Sequence, residues 1–287
     1  MWFLCAILTF TFWGLADLFY KIGNKEDDHL SHYKTGIMVG IVMGIHATLY
    51  QIIKQPTINF IEIISYLPVS LCYIISMIIG YKGLKYLELS ISSPIQNSSG
   101  IITSLLLVII FKQTLTDMEW FAIFLIGIGV FLLSLLEQKG TKRNKLGFFA
   151  LLFPIVYALL DGAGTFLDGI YLDQASIVSE DIALISYEYT FLLYAIITYI
   201  ILKIKRVKLS LRQEKEKLIA SIFETCGQFF YVYAMATESI LAAPIVAAYS
   251  ILSIILSRIF LKEELERHKY ITIVLIILGI IILGFCE

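Results

Sequence analysis

The chain has 287 residues, of which 59% are hydrophobic and 16% charged, with a formal net charge of −1; its mean hydropathy is +0.84. Ordinary soluble domains carry about 45 to 50% apolar and about 25% charged residues. This composition excludes a water-soluble globular enzyme, and the absence of a basic excess argues against a nucleic acid partner. Lipid is the solvent it implies.

The charges are bunched, and between them lie apolar runs of about 20 residues, the length that crosses about 30 Å of hydrocarbon as helix. Ten such runs are read in chain order, at about 2 to 20, 35 to 53, 61 to 81, 90 to 111, 118 to 136, 147 to 167, 182 to 202, 217 to 237, 240 to 261 and 270 to 286. Lipid offers the backbone no hydrogen-bond partner, so each run is expected to be helical, with irregular backbone only around a cavity or a protein contact. The longest polar connections fall near 21 to 34, 137 to 146, 168 to 181 and 203 to 216. Run 1 is expected to stay attached as a membrane helix, because it lacks a basic leader and carries Trp13, Asp17 and Tyr20 where a cleavage site needs small residues.

Ten spans put both termini on one side, together with the connections after runs 2, 4, 6 and 8. Those connections hold only Lys54 and Lys112; the others, with the helix ends beside them, hold the remaining 20 basic residues. Lys139, Lys142, Arg143 and Lys145 follow run 5, and Lys203, Lys205, Arg206, Lys208, Arg212, Lys215 and Lys217 follow run 7. Positive residues in short loops stay cytoplasmic, so both termini are expected outside a cell membrane that the chain crosses many times.

The chain also contains itself twice. At a fixed offset of 150, residues 80 to 136 agree with 230 to 286 at 14 of 57 positions, including Tyr81 with Tyr231, Glu88 with Glu238, Pro94-Ile95 with Pro244-Ile245, Lys112 with Lys262, Leu115 with Leu265 and Gly129 with Gly279. At offset 144, Asp17 falls opposite Asp161. Five helices per copy is an odd number, so the copies enter the membrane from opposite sides as an inverted repeat, over residues 1–137 and 146–287.

Four acids fall inside the runs: Asp17, Asp161, Glu188 and Glu224. A charged carboxylate near mid-span costs about 2.5 to 3.5 kcal/mol on insertion scales, so a substrate cation, a coupling proton or a local partner is needed; Lys21 and Lys217 are the local partners in reach of Asp17 and Glu224. Trp13, Tyr20, Tyr81, Tyr157, Tyr187, Tyr231 and Tyr233 supply rings whose faces attract a desolvated cation by about 2 kcal/mol or more, although interfacial belting and helix contacts also use tyrosine. Run 4 places Ser92, Ser93, Gln96, Asn97, Ser98 and Ser99 around Pro94, where proline bars a backbone bond and exposes polar backbone to a cavity; helix contacts through small residues are the other reading. Cys5, Cys72, Cys226 and Cys286 have no metal-site spacing, and His29, His32, His46 and His268 form no ligand motif. No cofactor and no catalytic constellation is expected.

The Trp13-Gly14 pair with Lys21, the small-residue and proline runs Ser92-Ser93-Pro94 and Ala242-Ala243-Pro244, the ends Phe111-Lys112 and Leu261-Lys262-Glu263-Glu264, and the glycines Gly127, Gly129 and Gly279 resemble the EamA-type members of the drug/metabolite transporter superfamily. The resemblance implies an all-α integral membrane protein of ten transmembrane helices as two inverted five-helix repeats, alternating access, and a central cavity lined by the first four helices of each half. Members of that family move amino acids, amines, nucleotide sugars, nucleobases and other small metabolites. Tyr157-Ala158 stands where the first half has Trp13-Gly14, and Gln96-Asn97-Ser98-Ser99 is more polar than the family's usual run.

The expectation is therefore a secondary transporter, not an enzyme, moving a small polar organic metabolite with an amine, amino acid or other cationic compound foremost, and proton-coupled. It works as a monomer or weak homodimer in the bilayer. Trp13, Asp17, Tyr81, Gln96, Asn97, Tyr157, Asp161, Glu188, Glu224 and Tyr231 are its substrate-binding candidates. A non-transporting receptor or assembly subunit and an intramembrane enzyme are the competing classes.

Overall fold

In the computed structural model of the protein, all residues are described except 25–27, 113, 138–146, 208, 211, 264–268 and 287. Lys139, Lys142, Arg143, Lys145, Lys208, Glu264, Leu265 and His268 therefore lie outside the described residues.

Each of the ten apolar runs is helical. The elements are α1 (Trp2–Gly23), α2 (Ser31–Lys54), α3 (Phe60–Ser65), α4 (Leu67–Gly83), α5 (Leu89–Gln96), α6 (Ser99–Phe111), α7 (Asp117–Glu137), α8 (Leu152–Asp168), α9 (Glu180–Ile204), α10 (Lys215–Ala247), α11 (Ser250–Leu256) and α12 (Lys269–Phe285). A 3-10 turn, Gly147–Leu151, leads into α8, and π-helical turns, Gly169–Gln174 and Ser257–Leu261, extend α8 and α11. Residues 168 to 174 are thus helix, where the sequence reading has a polar connection. Large apolar side chains such as Ile196, Ile197, Ile200 and Ile201 of α9 point away from the bundle, a surface stable in lipid rather than in water.

Proline shapes the middle of each half. Pro94 and Pro244 sit inside helices that break a few residues later, at Asn97–Ser98 and at Ala248–Tyr249. Pro244 has no amide to give the Ile240 carbonyl, and that oxygen is taken instead by the Ser104 hydroxyl of α6 at 2.8 Å. The matched glutamates mark the other end of the same helices. Glu88 is extended before α5, and Glu238 interrupts α10 with φ −157° and ψ 76°. The next amide in each case, Leu89 or Ser239, donates to a carboxylate from elsewhere: Glu263 at 3.1 Å and Asp173 at 2.9 Å. Both helices thus begin with an anion on a free amide. Lys112 and Lys262, matched at the offset of 150, are both left-handed, with φ 53° and φ 57°.

Helix neighbours repeat the same symmetry. α1 lies on α10 and α4 on α8, while α2 meets α9 and α7 meets α12. Exchanging the halves turns the first contact into the second and each of the other two into itself. A Cβ added at Gly129 would meet Ile276, and one added at Gly279 would meet Ile126; the two contacts are exchanged by the offset of 150. As numbers rise along α2 from His46 to Tyr50, their partners on α9 fall from Glu188 to Asp181. Equivalent helices therefore run antiparallel, the relation of an inverted repeat.

Candidate functional site

A cavity lies between the halves, walled by α1, α4, the α5–α6 break, α8, α9, α10 and the α11 start. Trp13, Asp17, Tyr81, Gln96, Asn97, Tyr157, Asp161 and Glu224 line it, with Tyr20, Tyr73, Tyr187, Gln228 and Tyr249. Tyr231 lines an adjoining chamber that shares Trp13, Tyr73, Asn97, Asp161 and Tyr249 with the first. Nine of the ten candidates are thus brought together. Glu188 is not among them: it points out of α9 toward α2, where His46 Nδ1 lies 2.8 and 2.9 Å from its two carboxyl oxygens.

Asp17 is held where α5 and α11 approach α1. Its Oδ2 accepts from Ser93 at 2.6 Å and from Ser253 at 2.8 Å, one hydroxyl from each half. The pairings with Lys21 and Lys217 considered from sequence give way to other bonds. The Lys21 ammonium donates to the Leu84 and Leu87 carbonyls at 2.7 and 2.5 Å, at the end of α4, and Lys217 donates to Glu214. Helix carbonyls at a C-terminus suit a cation.

Trp13 donates from Nε1 to the Glu224 carbonyl at 3.3 Å, and its ring meets Tyr231 at 5.0 Å and Tyr249 at 5.8 Å between centroids. Tyr20 and Tyr81 meet at 4.6 Å. At the break in the first half, Gln96 donates to Ser92 Oγ at 3.0 Å and Asn97 to the Ser93 carbonyl at 2.9 Å, so local bonds fix both amides at the wall. Three buried donors at that wall, the Tyr20 and Tyr81 hydroxyls and Gln228 Nε2, have no hydrogen-bond partner among the described residues. Buried polar groups left this way are costly, and a polar guest would satisfy them. Among the described lining residues there is no Lys or Arg, although there are three carboxylates.

Tyr73, Gln228 and Tyr249 are site residues that the sequence reading does not single out. Asp168 is a further one: fully buried, it accepts from the Tyr66 hydroxyl and from Tyr73 at 2.9 Å, and Tyr73 in turn shares a 2.7 Å bond with Tyr231. Its heptad spacing from Asp161 on one helix face was the available signal.

Residues 1–135 and 147–285 each match the model of the EamA-like transporter family. One solved structure, described only as "Crystal structure of protein", is similar with a TM-score of 0.67 at 11% identity, covering 99% of this chain and 96% of its own; that likeness concerns the fold. A search of curated proteins finds no match.

Proposed function

The chain belongs to the EamA-like transporter family, and from that premise we propose that it is a secondary transporter of a small polar organic cation, an amine or amino acid foremost, working by alternating access with proton coupling. The carrying observation is the charge of the cavity: Asp17, Asp161 and Glu224 face one aromatic-walled space with no basic residue among its described lining residues. A desolvated carboxylate needs a counter-charge, and a substrate ammonium supplies it. Asp161, the least enclosed of the three acids, takes the ammonium, with Glu224 beside it and Asp17 tying α5 and α11 to α1. Trp13, Tyr81, Tyr157 and Tyr231 wall the guest, and Gln96 and Asn97 offer amides at the broken helix. Two bundles, 1–137 and 146–287, rock around this site.

The span count belongs to the same reading. Lys215–Leu261 is one apolar helical stretch of 47 residues, about 70 Å if straight helix, more than twice the hydrocarbon thickness. Its interruption at Glu238 divides it into two crossings, which brings the total to ten.

Counterflow of radiolabelled amines, amino acids, nucleobases and sugars in proteoliposomes tests the function. Accelerated exchange of a cationic compound, lowered at least tenfold in Asp161→Asn and Glu224→Gln, is the expected result. Exchange of none of these compounds rejects transport, and undiminished exchange in both variants rejects the assigned carboxylates.

A further inference from the structure

Glu188 and His46 form a titratable pair that the substrate cavity does not use. Glu188 has no exposed surface, while the His46 side chain is 31% exposed. Whichever nitrogen of the ring carries a hydrogen, Nδ1 at 2.8 Å from one oxygen and 2.9 Å from the other requires a proton between the groups. The pair sits in a seam of three helices. α2 contributes His46 and Tyr50, α9 contributes Glu188 and Asp181, and α10 contributes Tyr233 and Phe229, whose ring meets the imidazole at 5.9 Å. One turn further along α2 the seam becomes polar: Tyr50 donates to Asp181 at 2.5 Å, and its oxygen lies 2.7 Å from that of Tyr233. Asp181 stands in the first turn of α9, at the end of the bundle. Among the described residues, no Lys or Arg bonds or stacks on the pair. On the other side of the same helix turn, Tyr187 reaches the substrate cavity and donates to Met77 Sδ. Glu188 and Tyr187 thus stand on neighbouring faces of α9, one toward the seam between halves and one toward the cavity.

We propose that the His46–Glu188 pair is a proton-binding site separate from the substrate cavity and that it carries the coupling proton, an assignment that rests on the transporter reading above. A proton reaching the seam through its polar end binds the imidazole, which hands the Nδ1 proton to the Glu188 carboxylate; the pair then holds two protons instead of one, and its net charge rises from −1 to 0 if the ring is neutral at both stages. Because the pair joins α2 of the first half to α9 of the second, that change acts on the contact along which the halves move, and α9 carries it to Tyr187 at the cavity wall. A purely structural pair has no such requirement, since replacing a buried ion pair by apolar residues is often neutral or stabilising.

The test needs no identified substrate. In the full-length protein in liposomes, infrared difference spectra between acid and neutral buffers are expected to contain a protonated-carboxyl band that Glu188→Gln loses. Persistence of the full set of carboxyl bands in Glu188→Gln overturns the proposal. Should that variant fail to fold, His46→Asn keeps the carboxylate and removes its partner; the pH at which the band appears is expected to change, and an unchanged pH overturns the site. The coupling role is read with an amine that the wild-type protein exchanges: Glu188→Gln is expected to retain counterflow while losing acceleration by a pH gradient, and retained acceleration overturns it. Absence of any exchange by the wild type sinks the transporter reading instead, and with it the coupling role, while the infrared result still decides whether Glu188 binds the proton.

Discussion

Trp13 holds its place because position 227 has no side chain. A Cβ there would stand 2.3 Å from Trp13 Cδ1 and 2.5 Å from Nε1, so α1 and α10 approach closely and the indole reaches the Glu224 carbonyl. Gly227→Ala is expected to push the ring off that carbonyl, at about 1 to 3 kcal/mol for overpacking, with lowered exchange and a changed tryptophan emission. An unaltered emission spectrum and unaltered exchange would show that the ring does not depend on this contact. At this scale the sequence was a partial guide. Asp17 and Asp161 were legible because the repeat places them opposite each other, whereas Glu188 was indistinguishable from them until the face it occupies on α9 was known. Tyr249 was hidden in a run of alanine and serine that reads as helix contact, and only the break after Ala248 turns its ring into the cavity.

Among the elements, the proline helices depend on donors from their neighbours. Ser104 supplies one to the Ile240 carbonyl that Pro244 leaves without an amide. Ser104→Ala is expected to cost about 1 to 3 kcal/mol, the penalty of an orphaned buried polar group, seen as a lower melting temperature, while Ser104→Thr keeps the hydroxyl and restores most of it. Equal melting temperatures for wild type and the alanine variant would show that the carbonyl finds another partner.

A second set of contacts joins the start of α2 to the start of α10: Lys34 reaches Asp28 at 2.6 Å and Glu214 at 3.3 Å, and Glu214 also holds Lys217. Burial pushes the Asp28 carboxyl up, but its bonds to the Lys34 ammonium and the Leu30 amide, with the charges of Lys34 and Lys217, outweigh that and hold it below the ordinary value of 3.8. A lowered folded-state value means that its contribution is present above the ordinary aspartate range and is lost as pH falls through the lowered value. Asp28→Asn is thus expected to melt below wild type at neutral pH and to converge with it in strong acid. A gap that persists unchanged in acid would rule out the carboxylate as its source. The sequence showed these residues only as a polar connection, since side chains from two distant loops meet here.

For the whole molecule, the charge bias of the sequence predicts that the end holding Asp28 and Glu214 faces the cytoplasm and both termini face outside. A reporter fused after Glu287 is expected to be active only in its extracytoplasmic form; activity in the cytoplasm alone would reverse the topology.

What the sequence determined by itself was the solvent, the helical runs and the doubling of the chain, because apolar length and internal identity are local or linear properties that need no fold to be read. Tertiary structure decided which acids share a space. It gathered Asp17, Asp161 and Glu224 around one cavity and turned Glu188 into a different seam, because a helix has several faces, and the neighbour that each face meets depends on how two antiparallel halves interlock.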